Sequence, residues 1–241
     1  MDPRALTVNS AGVEERDGCC VVFANGSPLT TPAGNPVETT SRALAEALAD
    51  ELEADGIADV TVPSLYAFFS TQHDFIEPAP QQTVDALVEL LAHDYLLHPD
   101  ERLDVNEAEI AAWRPQIELW ALVAGQEPPY APPDGEPEIS RTAYSAFRDM
   151  LAWFCPAQLT VVIHAANLLK SVTLGILLAR EEIDAGAALN AAGATLRLTA
   201  GETQDELDQQ DEREDAWRDV IARLLGYAAV AGSGRRAAGS G

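Results

Sequence analysis

The chain has 241 residues, 47% of them hydrophobic, so it can bury one large core or two small ones and is not composed like a disordered segment. Its formal net charge is −24, from 39 acidic and 15 basic residues; this argues against nucleic acid and anionic membrane surfaces as partners. A basic protein surface would suit that charge, and so would a solvated acidic coat with no partner.

The opening, MDPRALTVNSAG, has no apolar signal core and no Arg-rich amphipathic run, so it does not read as a signal or transit peptide. Residues 1–41 read as short strands and turns. CCVVFA (19–24) is an apolar, β-branched run, and Asn25-Gly26 is a turn signal that could close a hairpin onto residues 27–31. Pro28, Pro32 and Pro36 forbid a regular central strand there. From Ser41 the period changes. Leu44, Leu48 and Leu52 recur every four residues, with Thr40 or Ser41 as the N-cap and Gly56 as the stop. An aromatic-rich stretch follows, with a short strand or turn and then a short helix after Pro63.

The remainder reads as helical. Val84, Leu87, Val88 and Leu91 form one apolar stripe; Ile110, Trp113, Ile117, Trp120 and Ala124 form another, with Pro115 inside it as a kink. Residues 125–138 are a proline-rich linker, expected to be extended and mobile. Ser140 can cap a helix whose face is Tyr144, Phe147, Leu151 and Phe154, stopped by Pro156. Residues 157–179 are apolar nearly all round, but His164, Asn167 and Lys170 fall in the middle, where a membrane makes ionisable groups expensive. A central buried helix is therefore expected, with no membrane span. Two more helices follow, from Asp184 and over roughly 212–231, separated by an acidic stretch, and the end reads as a flexible tail.

No constellation carries chemistry. His73, His93, His98 and His164 are scattered, and His93 and His98, five apart, do not share a helix face. Cys19, Cys20 and Cys155 show no CxxC or Cys/His ligand spacing and no disulfide framework, which points to a reducing compartment and away from zinc. A G-x-S-x-G elbow, a phosphate loop and a G-x-G-x-x-G fingerprint are all missing. The expectation is a non-enzyme without cofactor or metal.

The order of several motifs resembles a known family. Gly26, Pro28, Leu29, Thr31, Pro32, Asn35 and Pro36 match the G-x-P-L-x-T-P-x-x-N-P signature of the ATP-twelve (Atp12) family, assembly chaperones for the alpha subunit of the catalytic head of ATP synthase. A Leu-Ala-rich helix follows, then Pro63 and Asp74 at the family's spacing of eleven. Asp94 and Leu96 resemble part of D-L-L-x-Y-R, with His98 and Pro99 in place of Tyr-Arg. Trp113-Arg114-Pro115 resembles W-D-P, Trp120 stands for the next tryptophan one residue out of step, and Lys170-Ser171 matches a K-S pair in an apolar helix. There are departures. Leu52 follows Glu51 where the family has Glu-Trp, and only Gln204 of L-E-E-x-x-Q-x-x-x-W-G aligns. The acidic pair that the family links to chaperone function falls at Ala200-Gly201, with Glu202 the nearest acid, and its Trp-Gly falls at Asp208-Gln209.

The resemblance and the pattern together imply an α+β fold: a small N-terminal α+β domain (1–78) with a proline-rich edge, an all-helical domain (79–230) and a flexible tail (231–241). Pro28, Leu29, Thr31, Pro32, Asp94, Trp113, Trp120, Lys170, Glu202 and Gln204 are the implied partner-binding residues. The implied partner is the ATP synthase alpha subunit, in the mitochondrial matrix or an alphaproteobacterial cytoplasm. The alternative is a divergent member retained as a permanent subunit among the neighbours of a large mitochondrial assembly, either ATP synthase or a respiratory complex.

Overall fold

The structure, a computed structural model, describes residues 5–98, 107–132, 135–197 and 204–238. Two compact units divide the chain: Met1–Pro80 with Cys155–Thr160 and Arg223–Gly241, and Gln81–Phe154 with Val161–Ala222.

The first unit is built from hairpins and helices. Strand β1 (Ala5–Thr7) pairs antiparallel with β6 (Ile57–Asp59). A second sheet has β2 (Ala11–Arg16), β3 (Cys19–Ala24) and β4 (Ser27–Pro28) in order, with β5 (Glu38–Thr39) also on β3. Asn25 (φ 54°) and Gly26 (φ 78°) form the expected two-residue turn between β3 and β4. Both central residues have positive φ, as a turn that follows the strand twist requires. Asp17 and Gly18 do the same between β2 and β3. Helix α1 (Arg42–Asp55) starts at Ser41, whose side chain accepts from the Leu44 N–H, and ends at Gly56. Its buried Leu44, Leu48 and Leu52 pack toward β2 and β3. Helix α2 (Leu65–Thr71), capped by Ser64, buries Phe68 and Phe69 and runs into a π-turn over Gln72–Ile76.

Residues 155–160 and 223–241 also belong to this unit, which a single cut after residue 78 does not provide for. Tyr227 shows what holds the later stretch. Its ring meets Phe68 edge-on, with centroids 6.0 Å apart, and its hydroxyl donates to Gln72 Oε1 at 2.8 Å. The helix carrying it, α9 (Gln204–Ala238), continues as helix through most of the stretch that reads as a tail.

The second unit is helical, with α3 (Pro80–Leu90), α4 (Glu107–Ala124), α5 (Arg141–Leu151), most of α6 (Pro156–Leu169), α7 (Val172–Ala179) and α8 (Ala185–Arg197). Helix α4 is its hub and packs against α5, α7 and α8. It runs unbroken through Pro115. Trp113 Nε1 donates to Ala191 O at 3.2 Å, and Trp120 stacks edge-on with Phe147 at 4.7 Å. Between α4 and α5 the described residues of the proline-rich stretch form no helix or strand, and the Ala131 N–H donates to Leu97 O at 2.6 Å.

The single helix expected over 157–179 is two. It breaks at Lys170, which adopts φ 55°, and Ser171 restarts the helix by accepting from the Leu174 N–H. The break lets α7 fold back on α6 so closely that a Cβ on Gly175 would lie 2.8 Å from Val162 O. Among the described residues no helix is long and apolar enough to cross a membrane. Gly175→Ala forces backbone apart at a tight helix contact, and should cost about 1–3 kcal/mol in denaturant unfolding. Unchanged stability would show that the contact is not tight.

Candidate functional site

The proline-rich loop is held in shape by Asp74. This residue sits in the π-turn, where the Glu77 N–H reaches back to Gln72 O and the widened helix aims a side chain sideways. Asp74 Oδ1 accepts from Thr31 Oγ1 at 2.6 Å and from Asn35 Nδ2 at 2.8 Å, and Oδ2 accepts from the Ala33 N–H at 3.1 Å. Within the loop the Thr31 N–H donates to Asn35 O and the Gly34 N–H to Thr31 O. Tyr66 adds its hydroxyl to Thr30 O at 2.9 Å. Three charge-assisted bonds on one carboxylate stiffen a segment whose prolines already have preset φ. Beside this loop lies an open groove of about 550 Å³, walled by Ala5 and Leu6 of β1 and by Ser27, Pro28 and Leu29, with Ala58 and Tyr66 also lining it.

In the second unit a different carboxylate is fully buried. Asp94 is 1% exposed, and its Oδ2 accepts from Ser171 Oγ (3.0 Å), Thr173 N–H (2.9 Å) and Thr173 Oγ1 (2.9 Å). Its Oδ1 accepts from the Leu96 N–H at 3.1 Å. Gln116 Nε2 donates to both hydroxyls, at 3.1 and 2.9 Å. Burial pushes the carboxyl above its ordinary range, while the four donors pull it back. Ser171 Oγ also accepts from the Leu174 N–H at 3.1 Å and lies 3.1 Å from Thr173 Oγ1, so the two hydroxyls bond each other as well as the carboxylate. Asp94 and the Lys170-Ser171 pair, two separate letters of the resemblance, therefore meet in one network. Gly26–Pro36 and Asp74 do the same in the other unit.

The remaining implied partner-binding residues are spread through the chain. Leu29, Thr31, Asp94, Trp113 and Trp120 are buried; Pro28, Pro32 and Lys170 are exposed. Glu202 lies outside the described residues, and Gln204 begins α9. Trp120 Nε1 is buried without a hydrogen-bond partner. A buried side chain can reach a partner only through the surface it shapes, so the exposed residues carry any direct contact. Several exposed apolar residues escaped the sequence reading, among them Leu6, at 46%, and Trp153, at 89%, just past α5. The stripe Tyr144, Phe147, Leu151 and Phe154 skips Trp153, and a large apolar residue off that stripe was the available signal.

The histidines form no catalytic set. His93 and His98 are exposed, and His98 Nε2 bonds Ala92 O at 2.7 Å. Burial pushes His164 down to about 4, so it is neutral at ordinary pH. His73 pairs with Glu77 at 3.0 Å. Among the described residues no group of three or more His, Cys, Asp or Glu could hold a metal ion.

These features define an α+β protein with a small antiparallel N-terminal part, a helical remainder and a stiffened proline loop beside a groove. Solved structures share this fold. An aspartate-to-lysine mutant of Paracoccus denitrificans Atp12p aligns with a TM-score of 0.69 at 22% identity, covering 93% of this chain and 98% of that one. Atp12 from Paracoccus denitrificans aligns with a TM-score of 0.68 at 23% identity, over 92% and 98% of the two chains. The Atu1473 protein of Agrobacterium tumefaciens, a candidate chaperone, gives 0.69 at 23%, over 92% and 86%. No family profile matches the sequence, and no curated protein matches it. The chain has the Atp12 fold.

Asp94→Asn keeps one acceptor oxygen but turns an amide toward the Leu96 N–H. It should cost about 1–3 kcal/mol, seen as a lower Tm. An unchanged Tm would mean that the network is looser than the distances imply.

Proposed function

We propose that this chain is a divergent member of the Atp12 family and acts as a non-catalytic assembly chaperone for the alpha subunit of the ATP synthase catalytic head. The observation that carries the reading is the structural likeness to Paracoccus Atp12 over nearly the full length of both chains. The family-like letters add support, since four of their groups pair off in the two aspartate networks. The chemistry needed is modest. An alpha subunit awaiting its beta partner exposes an apolar interface, and a protein that covers it must offer a rigid surface and release it later. A loop with preset φ angles and a carboxylate clamp loses little entropy on binding. Pro28, Pro32 and Lys170 are the exposed residues proposed to touch the client, with Glu202 and Gln204 proposed to act in the acidic C-terminal region. An overall charge of −24 would speed encounter with a basic client face. Neighbours from Paracoccus and Agrobacterium favour a bacterial cytoplasm over the mitochondrial matrix.

Deleting the gene should leave aggregated alpha subunit, and the protein should be missing from purified mature ATP synthase. If it instead stays stoichiometric with an assembled complex through native purification, it is a permanent subunit and the transient role is wrong.

A further inference from the structure

We propose that the groove between β1 and β4 receives an extended, uncharged segment of a partner chain, laid as an added strand along the outer edge of β1. This rests on the reading of the chain as a protein-binding assembly factor and names where, and what, it grips.

The edge follows from register. The Val8 N–H donates to Gly56 O at 2.8 Å, and β1 pairs with β6 as Leu6↔Ala58 and Thr7↔Ile57. Hydrogen-bonded pairs alternate in an antiparallel ladder. Val8–Gly56 and Leu6–Ala58 are thus the bonded pairs, and Ala5 and Thr7 turn their backbone groups to the opposite edge. Asn25 confirms the direction, since its Nδ2 donates to Thr7 O at 2.8 Å while its Oδ1 accepts from the Asn9 N–H at 2.8 Å. That one side chain ties the β3–β4 turn to the end of β1. Further along, toward Ala5, β1 pairs with no strand but β6, and β4 with none but β3, among the described residues. The gap between them is the groove. On its far side Pro28 has no N–H to offer, so the β4 wall cannot donate there to another strand. The two edges do not close on each other, but one of them can take a guest.

The lining selects the guest's character. None of the thirteen described residues that line the groove is charged, in a chain that carries 39 acidic side chains. A charged segment entering would lose solvation without gaining a partner. An apolar or small polar one would cover Leu6, which is 46% exposed, and rest against Ala58 and Leu29. Backbone bonds would supply affinity and alternate side chains the selectivity, as in strand addition generally.

The test uses the full chain against an array of overlapping peptides from the ATP synthase alpha and beta subunits, and against the whole alpha subunit. The wild type should hold peptides with an uncharged run of about five residues, and the Ala5 and Thr7 amides should become slower to exchange when such a peptide is bound. Leu6→Glu and Ser27→Glu should each weaken that binding about tenfold or more. Both positions are exposed, and circular dichroism and Tm verify the fold; if Leu6→Glu unfolds, Ser27→Glu decides. The proposal is overturned if no uncharged peptide binds, if both variants bind like the wild type, or if protection falls elsewhere. Whole alpha subunit bound equally by wild type and variants would sink the groove and leave the proposed function standing. Uncharged peptides lost in the variants, with no binding of alpha subunit by the wild type, would do the reverse.

Discussion

The helical unit depends on one carboxylate that has been taken out of water. Burying a carboxylate costs several kcal/mol unless its lone pairs are filled; beside the nearby Leu96 N–H, three of the four donors to Asp94 come from a chain segment 77 to 79 residues away. Thr173 and Ser171 can reach it only if the apolar run 157–179 is interrupted. Hence Lys170 takes a left-handed backbone, Ser171 becomes a cap, and α7 turns back on α6 at the Gly175–Val162 contact. Gln116 then carries the network to α4, the helix that α5, α7 and α8 all share.

Asp74 does comparable work at the surface of the other unit. There a carboxylate aimed by a π-turn fixes Thr31, Ala33 and Asn35. In both places the residues that make the sequence look like Atp12 are hydrogen-bonded to one another rather than waiting for a partner. Losing one of these residues would leave a hydrogen-bond partner unpaired. They shape the scaffold, and any direct contact with a partner falls to what the scaffold leaves exposed.

Local signals were legible wherever the backbone itself decides. Asn25-Gly26, Ser41, Gly56 and Ser140 act as the sequence predicts, because turns and caps are set by residues close in sequence. The break at Lys170 was not, because composition sees only an apolar run and the reason for the break lies at Asp94. The pairing of Tyr227 with Gln72 is likewise nonlocal, separated by 155 residues. At the candidate site, Pro28 and Pro32 were readable as an exposed shaped edge, whereas the groove beside them needed β1, a three-residue strand whose register only the fold supplies.

Binding of the purified chain to isolated alpha subunit and to the assembled catalytic head, followed by sedimentation, tests the chaperone reading most directly. An assembly chaperone should bind isolated alpha subunit and leave the assembled head alone, since beta then covers the same apolar face. Equal binding to the assembled head, or none to the isolated subunit, would contradict it.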